Sequence, residues 1–318
     1  MSNHSHPSKN RRHSTLSRLF AYIQLLRPAN ILTAIADILT GFAISGATVE
    51  IINSGNGWFY IPELNHLILL VISTIGLYGG GVVLNDFFDA ELDKAERPER
   101  PIPSGRASKT GAFILGVVLL SVGIQSASLV SFTSALIALA VASLAVMYDA
   151  WGKHQKFFGP LNMGLCRGGN LLLGVSVVSF AITELWFVAV IPVVFIAAVT
   201  TVSRGEVHGD DGKSLRKASW MYVAVLSLIA GLAFLPYFQL RLSLPYLVLF
   251  AWMIYRPLRK AQQTLEPKDI GRAVKFGVLS LILMDAAIAA GFGGWDYALM
   301  IVLLLPLSIL LARVFAVT

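Results

Sequence analysis

Asn85, Asp86, Asp89 and Asp93 combine residue types and spacings that suit phosphate chemistry. If the preceding helix continues through them, steps of one, three and four place all four on one face. Three carboxylates on one face repel each other unless a cation stands between them. A cluster of hard oxygens suits Mg²⁺, which readily shares its shell with substrate phosphates. Arg97, Arg100 and Arg106 follow within one loop and offer guanidinium forks for further phosphate oxygens. A solvated charged loop has a similar composition. Here an Asn-Asp pair closes a long apolar helix and the Pro and Gly punctuation is dense, which favours a ligand site.

A second acidic stretch holds Glu206, His208, Asp210 and Asp211 within S-R-G-E-V-H-G-D-D-G-K. Glu206 and Asp210 are four apart, a one-face spacing on a helix, although Gly205 and Gly209 loosen it. A third stretch runs from Tyr148 to Asn162, and its Lys153 is a compact cation able to neutralise a diphosphate. An ordinary loop lysine is the alternative. Asp37, Arg167 and Asp285 stand inside apolar spans, where charge is expensive and faces a partner or a cavity. Arg167 is expected to pair with Asp37, Asp149 or Asp285. Asn30 and Asp37 are seven apart, so both are expected to line a cavity. Phe87, Phe88, Tyr148 and Trp151 lie beside the acidic sites, where π-faces would stabilise a buried cation.

These residues must be positioned by membrane helices. The chain has 318 residues, 56% hydrophobic and 14% charged, with a mean hydropathy of +0.70. A soluble domain carries about 25% charged residues. The composition implies an all-α, polytopic transmembrane bundle. Ten apolar segments are long enough to span, near 27–46, 65–88, 110–128, 131–149, 160–180, 184–203, 218–238, 243–259, 270–292 and 295–317. Residues 1–17 read as a disordered basic tail ahead of one transmembrane domain over 18–318. No signal peptide is expected, because the first apolar span is too long and no cleavage site follows it. Lys and Arg fill the tail and the loops after the second, fourth, sixth and eighth spans, while the odd-numbered loops together carry only Arg241. The positive-inside rule places both termini in the cytoplasm. The net charge of +7 is therefore topology, not a nucleic-acid surface. Cys166 is the single cysteine, which excludes an internal disulfide. Acidic residues after the second span and again after the sixth form a weak repeat, suggesting two four-helix units around a shared cavity.

The run N-D-x-x-D-x-x-x-D followed by R-P-x-P-S-G-R resembles the first aspartate-rich motif of the UbiA family of intramembrane prenyltransferases, and is most similar to its EboC subgroup. The resemblance implies nine core helices, with the tenth an addition. It implies one Mg²⁺ on Asp86, Asp89 and Asp93 and a second on Glu206 and Asp210, where the family usually shows D-x-x-x-D and this chain has Glu first. It further implies substrate contacts from Asn85, Arg97, Arg100, Arg106, Lys153, Tyr148 and Asn162, although Pro160 and Leu161 separate Gly159 from Asn162. Asn30 belongs to the R-P-A-N run that resembles the family's opening to its first helix. The implied partners are a prenyl diphosphate, a lipophilic acceptor and the bilayer, with no nucleic acid and no obligate protein partner. The implied setting is a bacterial inner membrane. In the implied reaction the metals bridge the diphosphate, the C–O bond ionises to an allylic cation, and an aromatic or other electron-rich acceptor attacks it. No side chain acts as nucleophile. The alternatives are a non-catalytic UbiA-like lipid binder, which the Glu206 departure favours, and a CDP-alcohol phosphotransferase, whose D-G-x-x-A-R run is absent.

Overall fold

The computed structural model describes residues 15–48, 62–155, 157–205 and 212–315, and all regular structure among them is helical. The chain opens with α1 (Thr15–Leu25), which buries only Ala21 and Leu25. This helix begins three residues inside the stretch read as a disordered tail. It is short and amphipathic, a pattern without the long apolar run that marks a span. Pro28 then occupies the first turn of α2 (Pro28–Ile44). The ring fixes its own φ for the helix and disfavours the right-handed helical region for the preceding residue. Arg27 is left-handed, at φ 49° and ψ 64°.

The remaining elements are α3 (Pro62–Phe88), the short α4 (Ala90–Glu96), α5 (Lys109–Ser128), α6 (Phe132–Ala150) and α7 (Phe158–Val175). After them come α8 (Ser179–Leu185), a 3₁₀ turn over Trp186–Ala189, and α9 (Val190–Ser203). The chain continues through α10 (Lys213–Gly231), α11 (Leu240–Thr264), α12 (Pro267–Gly293), α13 (Trp295–Val302) and α14 (Leu304–Val314). Ser108 and Ser131 cap α5 and α6 by accepting from the Gly111 and Ser134 N–H groups.

Each of the ten apolar segments falls on helix, and eight helical stretches of the described residues are long and apolar enough to cross a membrane. The two segments outside that set are α7 and α11. The first is diluted by Gly, Asn and Arg167 and the second by Arg241, Arg256, Arg259 and Lys260, which lowers their mean hydropathy. The protein is a multi-pass membrane protein. The tenth segment, α13 with α14, lies against α2. There Tyr297 donates to the Leu39 carbonyl at 2.8 Å and Ser308 to the Ala29 carbonyl at 2.8 Å.

Within lipid, helices associate through close packing rather than through a hydrophobic drive between them. The α2–α7 crossing shows this most clearly. A Cβ on Gly41 would collide with the Leu171 carbonyl oxygen, and one on Gly174 with the Ile38 carbonyl oxygen. This contact fixes Asp37 of α2 beside Arg167 and Asn170 of α7. The helix α12 is buried through its centre and runs between α2 and α11, closing the bundle.

Candidate active site

A cavity of about 450 Å³ lies among α2, α3, α6, α7, α9 and α12, between the two halves of the bundle. Its acidic end is built at the α3–α4 joint. The Asp89 N–H donates to the Asn85 carbonyl at 2.9 Å and the Asp93 N–H to the Asp89 carbonyl at 2.8 Å, so helical bonding runs through the break. Asn85, Asp89 and Asp93 accordingly line the cavity, and Asp86 sits beside them, nearly fully buried. Glu91 belongs to the opposite face. It is exposed, and hydrogen bonds from Lys94 and then Lys109 hold its carboxyl below the usual range.

Each of the three aspartates meets a cation. Arg27 Nη2 lies 2.7 Å from Asp86 Oδ1. Arg100 Nη1 lies 2.8 Å from Asp93 Oδ2 and 3.5 Å from Asp86 Oδ1. Lys153 Nζ lies 2.5 Å from Asp89 Oδ1. Arg27 reaches Asp86 from a backbone conformation that disfavours any residue with a Cβ by about 1–2 kcal/mol. Such strain is characteristic of functional positions. Asp149, at the end of α6, accepts from Asn85 Nδ2 at 2.9 Å through one oxygen. Its other oxygen is buried without a partner among the described residues.

The donor set fits Mg²⁺. Asp86 and Asp93 already converge on one cationic group, the Arg100 guanidinium. No cluster of three or more His, Cys, Asp or Glu occurs among the described residues. Two carboxylates, with the rest of the shell supplied by phosphate and water, is the usual habit of this ion. Glu206 and Asp210, together with His208 and Asp211, lie outside the described residues.

Other expected residues divide. Asn30, Arg97, Arg100, Tyr148 and Lys153 line the cavity. Arg106 does not. It donates to Ser104 Oγ at 3.0 Å, Gln24 Oε1 at 3.2 Å and the Glu99 carbonyl at 2.6 Å, which ties the Pro-rich loop together and leaves the guanidinium no reach to a phosphate. Asn162 is also absent from the cavity wall. It is buried where α7 meets α6, and its amide, turned to satisfy both ends, donates to the Leu144 carbonyl and accepts from the Tyr148 N–H, each at 3.2 Å.

The aromatic expectation narrows to Tyr148. Phe87 and Phe88 fall off the carboxylate face of α3, where Phe87 packs on Phe113, and Trp151 is half-exposed against Phe158. Tyr78, one face-repeat before Asn85, supplies the second ring on the wall.

Asp37 does not line the cavity as its spacing from Asn30 suggested. Its carboxylate turns to Arg167 Nε at 2.7 Å and to Asn170 Nδ2 at 2.8 Å. Asn170 was not anticipated, Asp149 was weighed only as a partner for Arg167, and Arg27 only as part of the R-P-A-N run. Arg27 and Asp149 had a signal, namely charge at the ends of apolar spans.

A model of the UbiA prenyltransferase family matches residues 47–282. The chain belongs to the UbiA prenyltransferase family. It is 31% identical over 252 residues to a Digeranylgeranylglyceryl phosphate synthase of Methanosarcina mazei, covering 72% of this chain and 83% of that protein. It is 34% identical over 152 residues to the protein of the same name in Methanothrix thermoacetophila, a match that spans 48% of this chain and only 52% of that relative. Its fold is similar to that of a UbiA homolog from Archaeoglobus fulgidus solved with GPP and Mg²⁺, at a TM-score of 0.60, 17% identity, and coverage of 87% of this chain and 99% of that one.

Proposed function

We propose that the protein is a Mg²⁺-dependent intramembrane prenyltransferase, moving a prenyl group from a prenyl diphosphate to an aromatic or other lipophilic acceptor. One observation carries the reading: a cavity with apolar walls ends at three aspartates, each held by a basic side chain. Family membership and the relatives named as prenyl-lipid synthases support it. So does the Archaeoglobus homolog, which was solved with a short prenyl diphosphate and Mg²⁺.

Mg²⁺, when bound, would supply positive charge to the leaving diphosphate; Asp86, Asp89 and Asp93 would hold it, and the family resemblance adds Glu206 and Asp210. The chain's own groups do the rest. Arg100 and Lys153 are already at the aspartates, within reach of a diphosphate bound there, and would donate to its oxygens. Arg97 and Asn85 stand on the same wall. Leu77, Val141, Ile196 and Val199 exclude water along the isoprenoid path. Tyr78 and Tyr148 present rings to the developing allylic charge.

Pyrophosphate release from a panel of prenyl diphosphates, with membranes supplying the acceptor, tests the activity. Asp210→Asn is expected to lower turnover about 10²–10³-fold while changing diphosphate affinity far less, because ionisation asks more of the site than binding does. Wild-type protein that binds the diphosphate yet releases none of it with any acceptor is a binder rather than a catalyst. Asp210→Asn turning over at the wild-type rate removes the second acidic stretch from the site.

The asymmetry of Lys and Arg among the loops supports cytoplasmic termini. A reporter fused at residue 318 should report the cytoplasm, and one within 47–64 the opposite side. Matching sides overturn this topology. The matched relatives are archaeal. The bacterial inner membrane read from the sequence rests on the subgroup resemblance.

A further inference from the structure

The outer surface of the bundle carries a second cavity, apart from the active site. It is an open groove of about 520 Å³ between α9 and α10. Its polarity is graded. Lys213, Arg216 and Lys217 stand at one end, at the start of α10. Trp220 follows them, and Met221 and Ala224 of α10 with Val194 of α9 form the far end. Steps of three and four put Lys213, Arg216, Lys217, Trp220 and Ala224 on one exposed face of the helix.

From Lys213 to Ala224 the helix rises about 16 Å, at 1.5 Å per residue. That is close to half of a hydrocarbon core of about 30 Å. The groove thus has the depth of one leaflet, charged at the surface, aromatic below it and apolar further in. Trp220, 70% exposed, sits where aromatic rings lie beside lipid headgroups. The charged end is on the same side as the active-site acids. There α9 finishes at Ser203, and the next residue, Arg204, donates to the Gln155 carbonyl at 3.4 Å, two residues from Lys153.

The charge at this end is not answered from within the described residues. Exposed lysines elsewhere carry their own acids: Lys94 and Lys109 meet Glu91, and Lys260 meets Asp269. Arg216 and Lys217 form no ion pair among the described residues. The first turn of α10 holds no acidic residue. Cations stand instead at the end where the helix dipole is already positive, an arrangement that a bound anion relieves.

These features select one class of partner. The cations call for an anion, and the depth of the groove calls for a chain that enters the bilayer. A soluble anion would leave Met221, Ala224 and Val194 uncovered, and a neutral lipid would leave Arg216 and Lys217 without a counter-charge.

We propose that this groove binds one anionic phospholipid from the leaflet at the acidic end of the bundle, with its headgroup phosphate on Arg216 and Lys217 and one acyl chain along Trp220, Met221, Ala224 and Val194. The inference stands apart from the prenyltransferase reading, because none of these residues lines the active-site cavity.

The test is lipid binding by the full-length protein in a neutral detergent. Dioleoylphosphatidylglycerol and dioleoylphosphatidylcholine, which share their chains, are titrated separately, and native mass spectrometry gives the dissociation constant of the first bound lipid. Phosphatidylglycerol should bind about tenfold more tightly. Arg216→Gln/Lys217→Gln should bring the two lipids within about twofold of each other. Lys268→Gln/Arg272→Gln removes the same charge from the start of α12, at the end where Gln262 of α11 meets the Leu215 carbonyl, and should leave the tenfold ratio intact. Ala224→Trp fills the groove and should weaken both lipids while preserving their ratio.

Equal affinity of the wild-type protein for the two lipids overturns the proposal. So does an unchanged ratio in Arg216→Gln/Lys217→Gln, or an equal loss of the ratio in the α12 variant, which would make the preference a property of overall positive charge. Glycerol phosphate that displaces phosphatidylglycerol at equal concentration would make the groove a site for soluble phosphate instead. A dimer that Arg216→Gln/Lys217→Gln abolishes, with no lipid preference in the wild type, would make it an interface between copies of this chain. The wild-type ratio and the displacement decide without any variant.

Discussion

At the acidic end of the cavity, Asp86, Asp89 and Asp93 face Arg27, Arg100 and Lys153; further in, Asp37 and Asp285 face Arg167 alone. The residue types are the same and the balance differs. The first set is matched in charge, comes from loops and helix ends, and lies where a new ligand can enter. Its pairs can exchange partners without stranding a charge. The second set comes from the middles of three long helices locked together by a glycine-to-backbone crossing. Its charges have nowhere else to go. Similar ion pairs can therefore serve as an exchangeable binding surface in one place and a fixed scaffold in the other.

Substitutions can break this contrast. The largest effect is expected at Arg167. Arg167→Met leaves Asp37 and Asp285 buried without their cation, and loss of one partner of a buried pair costs about 3–5 kcal/mol. Thermal unfolding in detergent should show that loss, and Asp37→Asn added to the same protein should recover part of it. An unaltered melting temperature would mean the inner cluster is solvated, and the contrast would fail.

Asp86→Ala comes next and should act the opposite way. Mg²⁺-dependent binding of a prenyl diphosphate should be lost and turnover should fall by about 10²–10³-fold. The fold should hold, because Arg100 keeps Asp93 as its partner and Arg27 lines the cavity, where water can solvate the guanidinium that Asp86 leaves. Unfolding of this variant would make the acidic end structural.

The smallest effect is expected at Arg106. Arg106→Ala opens only the loop contacts to Ser104, Gln24 and Glu99, so the Michaelis constant for the diphosphate should stay within about twofold of wild type, in the range of ordinary surface substitutions. A tenfold rise would return Arg106 to the phosphate-binding set.

What the sequence made legible follows from periodicity. The ten apolar segments and the shared face of Asn85, Asp89 and Asp93 depend on helix geometry alone, and the structure has both, with Asp86 one step aside. The contacts that complete the site do not. Arg27 meets Asp86 across 59 residues, and Asn85 meets Asp149 across 64. No local pattern encodes which helix ends converge. Arg106 stands off the cavity wall for a related reason. A loop rich in Pro and Gly looks available in sequence, but in this fold it closes on its own polar groups. Phe87 and Phe88 were assigned by proximity in sequence, while one step along a helix turns a side chain by about 100°. The short α1 left no mark because its apolar face is interrupted by polar residues within each turn.

The left-handed Arg27 ties the membrane surface to the chemistry. Two residues separate the last turn of α1 from the first turn of α2, and one of them carries the guanidinium on Asp86. The amino-terminal helix is thus placed as a handle on Asp86. Truncations that remove it, or bulky purification tags fused close to Thr15, will register as lost activity in a protein that is otherwise well folded. Expression designs should carry their fusions at the far end of the chain.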